Sequence, residues 1–461
     1  MTPFAKILIK QCLVEAQRAQ YGGGIIVNPE FNHSLEGWTM FGQGEIEERI
    51  SKAGNCFIVV HSRTHPLDSL SQKVQLEKGK LYSFSGGEHG CWSLLKGGIV
   101  ANFSTPVEIL FESKNTKVNI WMDNVSLQPF TKEEWKSLQD ISINKVRKSK
   151  VSFKVIHANK TAMQGATVSI KQLKSDFPFG CDMNYHILES TDYQNWFASR
   201  FKFTTFTNEM KWYSTEIIQG QENYTVPDAM VKFCKQNGLS IRGHNILWDR
   251  VIYQPNWVKS LSFDDLRKAA EKRINSVVSR YRGQLIAWDV VNEDLHFRFF
   301  EDKLGENASL EFYSKAYQLD PNTTMFMNEF NTINGGDDKA NPANYKKKLE
   351  EILQYPGNEK ILLAIGLQGN FGSDQPNLAY MRSYLDILGA TGLPIWLTEV
   401  SVGLAKDTDQ AQHLEDILRE GYSHPAVKGI IMFAGPAAAN FMEMPLADIN
   451  FNNTLILYKI G

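Results

Sequence analysis

Two glutamates stand where chemistry could be done. Glu293 closes the run Trp288-Asp289-Val290-Val291-Asn292, and Glu399 closes Leu397-Thr398 after another apolar run. Each run has the apolar density of a buried strand. One carboxyl group that gives a proton and a second that meets positive charge developing on carbon are the pair that cleavage of a glycosidic acetal requires. Either glutamate alone also reads as a helix cap or a surface ion-pair partner. The two together, with Asn292 beside one of them, point to a site.

The elements that must position this pair come from the texture of residues 176–461. Strand-like runs at 177–183, 201–208, 239–246, 285–292, 324–330, 362–368, 394–400 and 428–434 alternate with amphipathic stretches at 228–237, 263–281, 309–319, 344–353, 378–388 and 408–422. Eight such alternations without an early Gly-rich phosphate loop predict an α/β fold, a (β/α)8 TIM barrel, whose chemistry sits at the C-terminal tips of its strands. The tips carry polar and aromatic groups: Asn208 and Lys211 after the second strand, His244 and Trp248 after the third, Asn328-Glu329-Phe330-Asn331 after the fifth, Gln368 and Asn370 at the sixth and Phe433 at the eighth. Lys and Asn donate hydrogen bonds to hydroxyls, and an indole or phenyl face suits the apolar face of a pyranose ring. His244 and Trp212 also read as ordinary core residues.

Upstream, residues 24–128 hold short β-type runs between Gly, Asn and Ser, the pattern of a smaller β-sandwich. Within it, 107–111 and 118–122 read as paired strands joined by a polar turn at 113–115. The abrupt passage from Tyr82-Ser83-Phe84-Ser85 to Gly86-Gly87 predicts that a strand pair is missing, so the sandwich is expected to be incomplete. Residues 129–175 form the boundary: 131–150 read as a solvated linker ending in a basic run, and 151–172 as a β-hairpin. After the eighth strand the closing helix of the barrel is expected to be missing.

Composition excludes several classes. With 49 Lys and Arg against 51 Asp and Glu, the net charge of −2 supplies no basic face for nucleic acid. No run approaches the about 20 apolar residues of a membrane span. The stretch MTPFAKILIKQCLVEAQ is interrupted by Lys10 and Gln11 and makes no convincing signal peptide, although eight N-x-S/T sites beginning at Asn32, Asn102, Asn124, Asn159, Asn223, Asn307, Asn322 and Asn452 hint at export. Five scattered cysteines give neither a metal-ligand spacing nor a disulfide framework. No metal, cofactor, nucleic-acid or membrane partner is expected, and a monomer is. The 53 aromatic residues (10 Trp, 16 Tyr, 27 Phe) fit either a large core or ligand stacking.

The segments TNEMKW, RGHNILW, WDVVNE and LPIWLTEV, in this order, resemble the plant branch of the family-10 glycoside hydrolases, the endo-1,4-β-xylanases. The stretch from IIVNPEFNHSLEGW to IWMDNVSL resembles the carbohydrate-binding module often placed before such barrels. The resemblance implies retaining hydrolysis of β-1,4-xylosidic bonds in xylan, with Glu293 as acid/base, Glu399 as nucleophile and Asn292 on the sugar 2-hydroxyl. It further implies that Asn208, Lys211, His244 and Trp248 bind the glycone sugars, that Gln368, Asn370 and Phe433 line the groove, and that the protein acts in the cell wall or outside the cell. The chain departs from the pattern at Asn370 (usually His), Thr207 (often Glu), Asp249 (commonly His), Phe433 (often Trp) and Ser401 (commonly acidic). These departures leave two alternatives open: a xylan-binding protein with impaired turnover, and a related barrel glycosidase acting on another β-glycan.

Overall fold

The computed structural model describes residues 18–88, 92–171, 176–403, 407–441 and 443–455. The N-terminal runs form strands β1 (Thr39–Phe41), β2 (Glu45–Ile50), β3 (Cys56–His61), β4 (Ser69–Leu76), β5 (Leu81–Glu88), β6 (Ser93–Val100), β7 (Thr105–Leu110) and β8 (Ile120–Phe130). They make two antiparallel sheets, β1-β4-β7 and β2-β3-β8-β5-β6. Alternation sends Ile58, Val60, Tyr82, Met122 and Leu127 into the space between the sheets.

Two expectations change here. The runs at 107–111 and 118–122 do not pair: β7 lies beside β4 in the small sheet, and β8 lies between β3 and β5 in the large one. Their connection crosses from sheet to sheet and is held by the buried Arg63. Its guanidinium donates to Ser113 O at 2.8 Å and to Asn115 O and Val118 O, both at 3.2 Å. The segment expected to mark a lost strand pair is the hairpin from β5 to β6, whose residues 89–91 lie outside the described ones. Trp92 packs with Phe57, Val59 and Trp121 on the outer face of the large sheet.

The expected linker is helix α1 (Lys132–Val146), opened by a capping box between Thr131 and Glu134. Its apolar side was hidden in the sequence among charges. Residues 151–171 are exposed throughout and make a single antiparallel bridge, Ile156–Ala162, rather than a ladder. A two-stranded ribbon without a covering layer is marginal, which accounts for the difference. The hairpin's end, 172–175, lies outside the described residues.

The barrel follows: β9 (Phe179–Met183), α2 (Thr191–Ala198), β10 (Phe203–Phe206), α3 (Trp212–Thr215), α4 (Thr225–Gln236), β11 (Ser240–Gly243), β12 (Leu247–Trp248), α5 (Phe263–Tyr281), β13 (Ala287–Asn292), α6 (Phe299–Leu304), α7 (Ala308–Leu319), β14 (Thr324–Glu329), α8 (Pro342–Gln354), β15 (Leu363–Phe371), α9 (Leu378–Gly389), β16 (Ile395–Val402), α10 (Asp407–Ser423) and β17 (Val427–Met432). Local chemistry starts the helices where the pattern predicts. Ser262 accepts from the Asp265 N–H before α5, and Asn341 caps α8 with Pro342 at its first position. The parallel sheet runs β11-β10-β9-β17-β16-β15-β14-β13 and closes by pairing β11 with β13. Ala287, Phe326, Ala364 and Trp396 plug the interior, so ligands reach only the C-terminal mouth. After β17 the described residues contain no α-helix comparable to the others. Instead, Met444, Leu446 and Ala447 are buried and Phe451 packs on the barrel core. The expected loss of a closing helix falls partly on residues 456–461, outside the described ones.

The sandwich and the barrel share an interface. On β6, Gly98 lies so near α9 that a Cβ there would sit 2.1 Å from the Ala379 carbonyl carbon. Lys96 pairs with Asp386 at 2.6 Å. Burial would raise the Asp386 carboxyl, but His424 and Lys96 hold it down at about 2. On α1, Trp135 Nε1 and Gln139 Nε2 donate to the fully buried Glu420 of α10 at 2.8 and 2.6 Å, and Arg382 donates to its other oxygen. Arg147, at the end of α1, donates to the carbonyls of Tyr422, His424 and Val427. Removing one partner of a buried ion pair costs about 3–5 kcal/mol. Glu420→Ala is therefore expected to lower stability by about that amount in urea unfolding, with α1 becoming open to limited proteolysis. A variant unfolding like the parent would mean that α1 does not depend on this carboxylate.

Candidate active site

Irregularities in the strands aim the side chains at the mouth. Between β15 and β16, Leu367 pairs with Leu397 but Gln368 with Glu399, leaving Thr398 as an extra residue. Between β13 and β14, Asp289 pairs with Phe326 but Asn292 with Asn328. A residue inserted in one strand re-aims the side chains beyond it. As a result Thr398 and Glu399, adjacent in sequence, both reach Asn328. Asn328 Oδ1 accepts from Thr398 Oγ1 at 2.5 Å, and its Nδ2 donates to Glu399 Oε1 at 2.9 Å and to Asn292 Oδ1 at 2.8 Å.

Glu293 follows β13 with φ of 63°, a left-handed backbone that costs a non-glycine residue about 1–3 kcal/mol. Its N–H donates to Asn328 O at 3.0 Å, and the N–H groups of His296 and Phe297 return to its own carbonyl. The turn swings the carboxylate over the mouth, where Oε2 accepts from Trp248 Nε1 at 2.8 Å and Oε1 from Gln368 Nε2 at 3.2 Å. Only 6% of Glu293 and 8% of Glu399 is exposed, so both carboxyl groups lie largely out of water.

The second and third strands supply the positive side. Lys211 is buried. Its Nζ donates to Asn208 Oδ1 at 3.1 Å and lies 4.6 Å from the Trp248 ring centroid. Burial lowers its pKa, while Glu399 and Glu293 pull it back up. His244 Nδ1 lies 2.7 Å from Asp289 Oδ2, and Arg242 donates to the other oxygen of the same carboxylate. Burial, helped by Lys211, drives the His244 ring well below its ordinary pKa. A neutral ring that donates through Nδ1 leaves the Nε2 lone pair facing the mouth, 3.9 Å from Glu399 Oε1. Burial raises the pKa of Glu399, and the Lys211 cation and the Asn328 amide oppose the rise.

Asn208, Lys211, His244, Trp248, Asn292, Gln368, Asn370 and Phe433 are linked by contacts around this mouth. Phe433 meets His244 edge to face at 6.3 Å. Asn370, exposed at the rim, donates to Gln368 Oε1 at 3.3 Å and accepts from Ser401 Oγ at 2.8 Å. Two of the unusual positions thus pair with each other as uncharged groups. Thr207 is also accounted for: its hydroxyl donates to the buried Asp182 at 2.8 Å, where a glutamate would add a second carboxylate. Asp249 is fully buried, accepts from the Phe300 N–H and ties the end of β12 to α6. Trp248 does more than offer a face, since it stacks on Tyr253 with centroids 3.9 Å apart and holds Glu293. Trp212 is core, packed against Trp257. Sequence reasoning missed Asn328, Asp289, Arg242 and Tyr253. Asn328 carried a signal, a polar residue at a strand tip, but nothing marked it as the bridge.

Among the described residues no group of His, Cys, Asp and Glu is arranged to hold a metal ion. The arrangement can place one carboxyl as a proton donor and another as an ionised group across a cleft lined by amides, a lysine and aromatic faces.

Comparisons with known proteins agree with this geometry. Residues 169–437 match the profile of Glycosyl hydrolase family 10. The chain is 48% identical over 476 residues to the Arabidopsis thaliana protein named endo-1,4-beta-xylanase 5-like, covering 96% of this chain and 80% of that protein. It is 50% identical over 376 residues to endo-1,4-beta-xylanase 4 of the same plant, covering 80% and 66%. Xylanase 10B of Thermotoga petrophila, solved with xylobiose, superposes with a TM-score of 0.55 at 21% identity, covering 62% of this chain and 93% of that one, a likeness of fold. The barrel, its carboxylate pair and the long match to named relatives converge: this chain belongs to glycosyl hydrolase family 10.

Proposed function

We propose that the chain hydrolyses internal β-1,4-xylosidic bonds of xylan with retention of configuration. The observation that carries this reading is that Glu293 and Glu399 meet at one mouth on Asn328, whose main-chain carbonyl accepts from the Glu293 N–H and whose side-chain amide donates to Glu399. Glu399 attacks the anomeric carbon as a carboxylate, and the covalent sugar ester forms as Glu293 gives its proton to the leaving oxygen. Glu293, now ionised, then takes a proton from water, which releases the sugar from Glu399. Asn292, fixed by Asn328, meets the 2-hydroxyl, a contact that strengthens as the transition state forms. Asn208, Lys211, His244 and Trp248 hold the glycone side, while Gln368, Asn370 and Phe433 line the rest of the groove. No helix among the described residues is long and apolar enough to cross a membrane. On this reading the protein acts in the cell wall or outside the cell, as a monomer on the polysaccharide.

Glu293→Ala is expected to lower kcat on a xylo-oligosaccharide by about 10²–10⁴-fold, and Glu399→Gln by at least as much. NMR of the first-formed product should show the β-anomer. Wild-type rates in both variants, or the α-anomer first, would overturn the assignment. Binding by affinity electrophoresis without release of reducing sugar would favour the impaired binding protein instead. A preference for cellulose or mannan in parallel assays would move the substrate to another β-glycan.

The electrostatics supply a pH prediction. Glu399 must be ionised to attack, and burial raises its pKa while the Lys211 cation opposes that rise. Removing the cation lets the pKa climb further, so ionised nucleophile is lost at higher pH. Lys211→Met should therefore move the acid limb of kcat/KM to higher pH and lower its plateau by about tenfold or more, the value of a hydrogen bond to a charged group. An unmoved limb would show that Lys211 does not tune the nucleophile.

A further inference from the structure

Three residues beyond Glu293, the His296 ring lies between two carboxylates. Its Nδ1 is 2.6 Å from Glu329 Oε2, and its Nε2 is 3.2 Å from Asp337 Oδ2. Glu329 ends β14 and is fully buried. Its second oxygen accepts from the Leu295 N–H at 2.6 Å. The Phe330 ring stacks on the imidazole with centroids 3.7 Å apart and an interplanar angle of 17°. Lys339 Nζ donates to His296 O at 3.0 Å, so the loop after β14 grips this residue by backbone and ring together. The charged groups facing the ring are Glu329 from the strand, Asp337 and Lys339 from the loop, and Glu293 from the preceding turn.

A neutral imidazole has one N–H, whereas two carboxylates can only accept. Both contacts are satisfied only if two hydrogens lie along the chain Glu329–His296–Asp337. We propose that these three residues form a clamp holding two protons among three groups, and that His296 is thereby a positioning residue for the acid/base Glu293. Burial pushes the Glu329 carboxyl well above its ordinary pKa and pulls the His296 ring below its own. The shared proton then rests on Glu329, the ring accepts it at Nδ1, and the Nε2–H donates to Asp337. Glu293 occupies a left-handed turn whose backbone bonds run to the N–H groups of His296 and Phe297. Fixing the ring fixes that turn, and with it the path along which the proton reaches the leaving sugar. The role rests on the reading of Glu293 as acid/base.

Two substrates separate positioning from plain structural support. A xylo-oligosaccharide needs its leaving sugar protonated, whereas a dinitrophenyl β-xylobioside expels a phenolate that does not. His296→Gln should lose about 10–100-fold in kcat/KM on the oligosaccharide, a share of what general acid catalysis supplies. On the dinitrophenyl substrate its kcat/KM, which reads the first step alone, should stay within about threefold of wild type, because that step needs no protonation there. Glu329→Gln presents an N–H to Nδ1 and a carbonyl to Leu295, as a protonated glutamate does. It should stay within about threefold on both substrates. Asp337→Asn, at the more exposed end of the clamp, provides a variant that leaves the core intact and should lose a smaller factor on the oligosaccharide alone. Equal losses of the His296 variant on both substrates, no loss on either, or a Glu329→Gln variant as damaged as His296→Gln would overturn the clamp. A wild-type protein that cleaved neither substrate would overturn the glycosidase reading and the clamp with it.

Discussion

A carboxylate removed from water is held there only by donors and cations, because desolvation costs several kcal/mol per ion. The mouth of this barrel buries Asp182, Asp289, Glu293, Glu329 and Glu399 within a few strands of one another. Each answers that cost with its own neighbours. Asp289 has Arg242 and His244, Glu293 has the indole N–H of Trp248 and the amide of Gln368, and Glu399 has Asn328 with Lys211 nearby. Asp182 has the Thr207 hydroxyl and the Ala434 N–H, while Glu329 keeps its proton toward the His296 ring and accepts from the Leu295 N–H with its other oxygen. The donors differ in whether they carry charge, and that difference separates the roles. The Lys211 cation lies near Glu399 and favours its ionised form, while Glu293 is held by uncharged N–H groups.

That division explains why the departures at positions 207, 370 and 401 are compatible with the site. A histidine and an acidic residue at 370 and 401 would form a charged pair; Asn370 and Ser401 form a neutral one through the same contact across neighbouring strands. Gln368 still receives a hydrogen bond from position 370 and still reaches Glu293. Thr207 keeps a further carboxylate away from Asp182, which burial already pushes well above the ordinary range. The substitutions change which groups titrate without opening the hydrogen-bond chain that holds Glu293.

The barrel was legible because its strands are buried on both faces and end in polar tips. The apolar runs gave eight strands within a few residues of their true bounds, and the tips gave both glutamates. Less readable was anything set by contacts distant in sequence. Asn328 bridges Asn292 and Glu399, and no local pattern tells a bridge from a turn asparagine. Helix α1 looked like a linker because its buried face is only Trp135, Gln139 and Ile143 among charges, and its value lies in a carboxylate some 280 residues away. The paired reading of 107–111 and 118–122 failed for a related reason. Alternation marks a strand but is silent on which sheet it joins, and the crossing is decided by Arg63 bonding the connection's carbonyls.

The sandwich and the barrel are best understood through that same distant helix. The outer face of the five-stranded sheet divides along its length. Leu81, Lys96, Gly98 and Phe130 are engaged by α9 and α1, while Phe57, Trp92 and Trp121 pack among themselves at the other end. A side chain at position 98 would strike the backbone of α9, so the close approach requires glycine there. Charge fixes the geometry further, since Trp135 and Gln139 of α1 meet the buried Glu420, and the half-buried Asp386 faces both Lys96 and His424. A partner displaced from the fully buried Glu420 leaves an uncompensated ion, so that contact tolerates little sliding. The family match begins at residue 169, after α1, yet α1 is seated between α9 and α10, the helices that follow β15 and β16. Those two strands carry Gln368 and Glu399. The helices that follow the strands of Gln368 and Glu399 are therefore packed from outside by a helix that precedes the matched domain, and the module upstream of α1 meets the same helix α9 through Gly98 and Lys96.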